Sequence, residues 1–144
     1  MFQPLNISSS ALTANRLKMD IISSNIANAT TTRGKFVNGE WIPYRRKMVE
    51  VEPNGAAPFS HYLNNEMSAN GVKVTGIVED QTPFHPVYDP TNPDSNKDGY
   101  VMMPNVDITK EMVDLMSASR AYEANITAFN VGKTMSLKAL DIGK

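Results

Sequence analysis

Residues 107–141 read DITKEMVDLMSASRAYEANITAFNVGKTMSLKALD. Only Gly132 interrupts a helical pattern there, and roughly 35 residues at a rise of ~1.5 Å each make about 50 Å of helix. That exceeds the usual length in a small globular domain, so this stretch decides the architecture. Met112, Leu115, Tyr122, Ile126 and Phe129 fall on one stripe of three- and four-residue steps; Lys133 and Ser136 dilute it before Leu137 and Leu140 restore it. Asp107 is placed to cap the first turn. Glu111, Asp114 and Glu123 lie toward the start and Lys133, Lys138 and Lys144 toward the end, an order that complements the helix dipole.

The other end of the chain offers a partner. Residues 6–28 contain neither Gly nor Pro, and Leu12, Met19, Ile22 and Ile26 recur along one narrow seam, with Asn15 and Ala29 in further places on it. Ser8, Ser9 and Ser10 offer N-cap oxygens, while Thr30, Thr31, Thr32 and Gly34 predict an end near residue 28 or 29. Asn25 and Asn28 share a flank of that seam. Their amides can bond a neighbouring helix there, and polar groups at a seam fix register at some cost in stability. The longer helix overhangs a partner of about 35 Å, so part of its stripe needs another surface.

Between the helices the character changes. Lys35–Val37 and Trp41–Val51 read as two strands around a turn at Asn38-Gly39, with Pro43 pointing to an edge position. Residues 71–79 place Val72, Val74 and Val78 on one face of a further strand, ahead of a loop holding Pro83, Pro86, Pro90 and Pro93. The expected fold is therefore α+β: long N- and C-terminal helices forming an antiparallel coiled-coil-like pair, with a small β-rich insert. Residues 1–32 form the first helix segment, 33–104 the insert and 105–144 the second helix segment.

The totals narrow the function. Fourteen basic residues against 15 acidic ones give a formal charge of −1, which leaves no excess for a phosphate backbone, so no nucleic acid partner is expected. No window approaches the ~18 apolar residues of a membrane span and no cleavable signal pattern opens the chain, which predicts no direct membrane insertion and no cleaved signal peptide. Cysteine is absent, removing disulfides, thiolate metal sites and cysteine nucleophiles together.

Candidate chemistry is sparse. Residues 94–99, Asp94-Ser95-Asn96-Lys97-Asp98-Gly99, match the opening of a calcium loop, but its twelfth position is Asn105, which cannot supply the bidentate carboxylate. A polar turn is the main reading, and a calcium-regulated binding module the alternative. His61 and His85 lack partners at metal or nucleophile spacing, and no nucleophile elbow, phosphate loop or dinucleotide fingerprint occurs. No enzyme, cofactor or metal is expected. Trp41, near Tyr44, reads as hairpin packing.

Ala11 to Asn28, ALTANRLKMDIISSNIAN, resembles the N-terminal motif of the axial proteins of the bacterial flagellum, the rod, hook and hook-filament junction subunits. Gly99 to Lys144, with Tyr44-Arg45-Arg46-Lys47 and Tyr88-Asp89-Pro90, looks like the proximal-rod members of that family; Asn92 stands where such proteins often carry His. The resemblance implies a structural subunit of the periplasm-spanning rod of the basal body. Its partners would be other copies of itself, other flagellar rod proteins and the type III export apparatus. The assembly interface would then comprise Leu12, Met19, Ile22, Asn25, Ile26 and Asn28 on one helix, and Met112, Leu115, Tyr122, Asn125, Ile126 and Phe129 on the other.

Overall fold

The computed structural model describes residues 3–54 and 71–142; His61 and Lys144 lie outside them. Two helices, α1 (Gln3–Ala27) and α2 (Ile108–Ile142), enclose six strands in sequence: β1 (Lys35–Val37), β2 (Glu40–Ile42), β3 (Lys47–Pro53), β4 (Val72–Glu79), β5 (His85–Tyr88) and β6 (Tyr100–Met103). The strands pair as three two-stranded sheets, β1-β2, β3-β4 and β5-β6. This is an α+β arrangement in which the two helices pack together.

α1 starts earlier than the serines suggest. Pro4 fits a first helical turn, where its missing N–H would have no partner anyway, so Ser8–Ser10 lie inside the helix. Their hydroxyls serve other ends: Ser10 Oγ donates to Ile7 O at 2.8 Å and accepts from Val72 N at 3.1 Å. The helix ends at Ala27. α2 begins where Asp107 Oδ1 accepts from Thr109 N at 2.9 Å and Lys110 N at 3.2 Å, as the expected cap requires.

The strand expected over Trp41–Val51 is broken. Pro43 ends β2 and is buried, and residues 43–46 form an irregular link before β3. The turn at Asn38-Gly39 has φ of 54° and 91°, the double positive φ that joins two short antiparallel strands, and Phe36 stands opposite Trp41 with ring centroids 5.1 Å apart. Both rings remain more than half exposed.

The chain groups into two compact units. One comprises Met1–Met19, Val49–Gly76 and Met116–Lys144; here Leu5 Cδ2 would lie 3.3 Å from a Cβ placed on Gly132, and Ser8, Ala14 and Ala118 are buried. The other comprises Asp20–Met48 and Ile77–Leu115, with Ile22, Ala29, Pro43, Val101 and Pro104 as its buried apolar residues and Asn25, Asn105 and Glu111 as its buried polar ones. Apart from Ile22, the side chains buried on the two helices are small or polar.

A Cβ on Gly34 would stand 2.6 Å from Tyr44 N, whereas one on Gly76 meets nothing within 4 Å. Gly34→Ala should therefore destabilise the chain by about 1–3 kcal/mol through a forced backbone shift. Gly76→Ala should be neutral or stabilise by under about 1 kcal/mol, both read from urea unfolding midpoints.

Candidate assembly site

Arg46 lies in the irregular link that Pro43 creates, and it gathers three carboxylates. Its Nε donates to Glu111 Oε1 at 2.6 Å, Nη1 approaches Asp80 Oδ2 at 3.4 Å, and Nη2 is 3.6 Å from Asp114 Oδ2. Glu111, in the first turn of α2, is only 1% exposed. Its second oxygen accepts from Asn25 Nδ2 at 3.0 Å, and Asn25, also 1% exposed, donates again to Lys47 O at 2.8 Å. Asn25 Oδ1 accepts from Tyr44 Oη at 2.9 Å and Lys47 N at 3.0 Å.

Asn105 extends this node. Its Oδ1 accepts from Arg46 N at 2.8 Å, and its Nδ2 donates to the Asp80 and Thr82 carbonyls at 3.2 Å each. Among the described residues no buried side-chain polar atom lacks a partner. Burial works against the Arg46 charge, yet the bonds from Glu111 and Asp80 outweigh it and hold the guanidinium above its usual pKa. Bonds from Thr82 hold the Asp80 carboxyl below the usual aspartate value of 3.8, with Arg46 adding to the effect.

The residues expected at an assembly seam divide into three groups. Ile22 and Asn25 are buried inside the chain. Leu12, Met19, Ile26, Asn28, Leu115, Tyr122, Asn125 and Phe129 are half-buried. Met112 is 56% exposed and Ile126 38%. Asn25 bonds α2 of its own chain, while Asn28 turns back to Ser24 O at 2.9 Å on its own helix. The buried positions of α2 repeat every seven residues through Glu111 and Ala118, with half-buried Asn125 and Gly132 continuing the row. That row lies to one side of the apolar stripe, so Met112, Met116, Ile126, Val131, Met135, Leu137 and Leu140 stay open to solvent.

The 94–99 loop is a polar turn closed by its own groups. Asn96 Oδ1 accepts from Asp98 N at 3.0 Å and Tyr100 N at 2.9 Å, and Asn96 N donates to Tyr100 O. Asp94, the first oxygen donor a calcium ion would need, is held by Arg33 Nε and Thr32 Oγ1 at 2.8 Å each. Nothing in this geometry supports the calcium module.

Residues 5–34 match the family described as "Flagella basal body rod protein", and residues 97–142 match "Flagellar basal body rod FlgEFG protein C-terminal". The flagellar basal-body rod protein FlgC of Bacillus subtilis is 59% identical over 148 residues, covering 99% of this chain and 98% of that protein. The FlgC proteins of Borreliella burgdorferi and Escherichia coli are each 43% identical, over 99% and 96% of this chain and 97% and 95% of their own lengths. The chain belongs to the FlgC family of flagellar basal-body rod proteins. Members of the FlgC family are structural subunits of the rod. Tyr44-Arg45-Arg46-Lys47, one of the segments that carries the resemblance, supplies the node with Tyr44, Arg46 and the Lys47 backbone.

Glu111→Ala removes the nearest and most buried of the three carboxylates around Arg46, leaving the longer approaches to Asp80 and Asp114, and should cost about 3 kcal/mol in urea unfolding. Asn25→Leu leaves Glu111 Oε2, Tyr44 Oη and the Lys47 backbone without their partner and should cost about 1–3 kcal/mol. Asp80 and Asp94 both titrate below the usual aspartate value, so their contributions are complete above it and disappear as pH falls through their folded pKa values. Melting temperature should drop on acidification below about pH 4, and Asp80→Asn with Asp94→Asn should flatten that acid limb.

Proposed function

We propose that this FlgC-family chain builds the proximal part of the rod, with its terminal segments, 1–32 and 105–144, forming the wall of a helical tube and residues 33–104 adding lateral contacts. The observation that carries this reading is the exposed apolar surface of α2, from Met112 and Met116 through Ile126 to Leu137 and Leu140. A monomer gains nothing from leaving so many large apolar side chains on one helix in water, whereas neighbouring chains can cover them at ~25 cal/mol per Å². Contacts that join unlike surfaces without closing into a ring generate an open tube, which suits a shaft that transmits torque.

The half-buried residues serve in the same reading. Leu12, Met19 and Ile26 on α1, with Leu115, Tyr122 and Phe129 on α2, flank the small residues at the centre of the helix pair and are free to finish their burial against a second chain, in the manner of a coiled-coil seam. Asn28 and Asn125 each donate to the carbonyl four residues earlier; the Asn28 amide oxygen accepts from Thr31 Oγ1 at 3.3 Å, and that of Asn125 is left to meet a neighbour. Partners are other copies of the chain and other rod proteins, reached after passage through the type III export apparatus, and the working location is the periplasm-spanning rod of the basal body.

Met112 and Met116, 56% and 61% exposed, give the cleanest test, because a carboxylate there costs the monomer little. Met112→Asp and Met116→Asp should keep the urea midpoint of the free chain within about 0.5 kcal/mol of native stability, abolish swimming in a strain lacking the native gene, and stop rod assembly in isolated basal bodies. Swimming at the native rate by both variants would overturn the reading.

A further inference from the structure

In the unit that holds the node, apolar packing alone sets the end of α1 against the start of α2 only loosely. Ile22 and Ala29 are the buried apolar residues on the α1 side, and Asn25 lies between them on the same stripe. A slide by one helical turn, about 5.4 Å, would bring an apolar residue to where Asn25 stands and change little for the few apolar contacts there. The polar groups respond quite differently. Asn25 uses both ends of its amide in four bonds, to Glu111 on α2 and to Tyr44 and both the N–H and the carbonyl of Lys47 beside the link. A slide of α1 along α2 breaks the Glu111 bond and, where Arg46 holds the link to α2, the other three with it.

We propose that Asn25, Arg46 and Glu111 act as a register lock, which selects one seating of α1 on α2 and adds selectivity rather than net stability. Two features support a selective role. Glu111 and Asn25 are each 1% exposed and Arg46 is mostly covered, so the three groups carry the full desolvation cost of buried charge and amide, which apolar residues of similar volume would avoid. Each is also bonded to a different segment, the end of α1, the link after β2 and the start of α2, so that one geometry alone satisfies them all.

The chain contains no cysteine, so spin labels at Ser23→Cys and Val113→Cys, both exposed positions in this unit, report the seating directly. The native background should give one narrow inter-label distance in pulsed electron resonance, with any slid population below about one in a hundred. The apolar triple Asn25→Leu, Arg46→Met, Glu111→Leu should unfold at a urea concentration below the native chain by no more than Asn25→Leu alone, since Tyr44 and the Lys47 backbone still lose their partner, and above that of Glu111→Leu alone. It should also show a second distance displaced by about 5 Å or more, populated within about tenfold of the first. A triple variant with a single native distance would overturn the lock. So would a triple variant that is unfolded, or no more stable than Glu111→Leu alone, because the node would then be a source of stability.

Discussion

A carboxylate as enclosed as that of Glu111 is stable only if its charge is matched and both of its oxygens are bonded, and the surrounding structure is arranged to meet that demand. Arg46 meets it on one oxygen and Asn25 on the other. Arg46 reaches its place because Pro43 stops β2 and frees the chain to turn. The link is then tied by Tyr44 N to Thr31 O at 3.0 Å and by Gly34 N to Ile42 O at 2.9 Å. Gly34 permits that approach, since any side chain there would meet the Tyr44 backbone. A sequence of local constraints, from Gly34 through Pro43 and Tyr44 to Arg46, thus ends in one buried ion pair.

The apolar side is correspondingly modest. Among the described residues the buried apolar set is Ala14, Ile22, Ala29, Val101 and Ala118 with Pro43 and Pro104, too few large side chains to supply the stability of an ordinary core. Small residues let the helices approach closely, while Met112, Met116, Ile126, Met135, Leu137 and Leu140 of α2 are turned outward. A free-standing domain would reverse that allocation. A subunit that assembles with other subunits need not, because neighbours can complete its burial, and the FlgC rod proteins, the family to which the chain belongs, are such subunits.

Much of this fold is legible in the chain. Helix periodicity marks α1 and α2, Asp107 is the cap it reads as, and Asn38-Gly39 makes the turn its residue types favour. The contact face of each helix is less legible. A stripe of large apolar residues marks surfaces that will be buried by any partner, whereas the face used inside the chain centres on Ala14, Ala118 and Gly132, which apolar patterning does not register. The node is harder still, because positions 25, 46, 105 and 111 are remote in sequence and each has a plainer local meaning. Glu111 reads as a charge favouring the helix dipole, and Asn105 as the failed last position of a calcium loop. The clue available beforehand was Asn25 itself, an amide on the flank of an otherwise apolar seam.

That amide is polarised in a way its shape conceals. Its nitrogen end faces two oxygens, from Glu111 and Lys47, and its oxygen end faces two hydrogens, from Tyr44 and Lys47. Aspartate has almost the same volume and outline, but it would present an oxygen and a negative charge to the Glu111 carboxylate and the Lys47 carbonyl. Conversion of Asn25 to its nearest isostere, the product of spontaneous amide hydrolysis, therefore turns two attractive contacts into repulsive ones. Position 25 selects for the asymmetry of a carboxamide, and a side chain of the right size without that asymmetry does not serve.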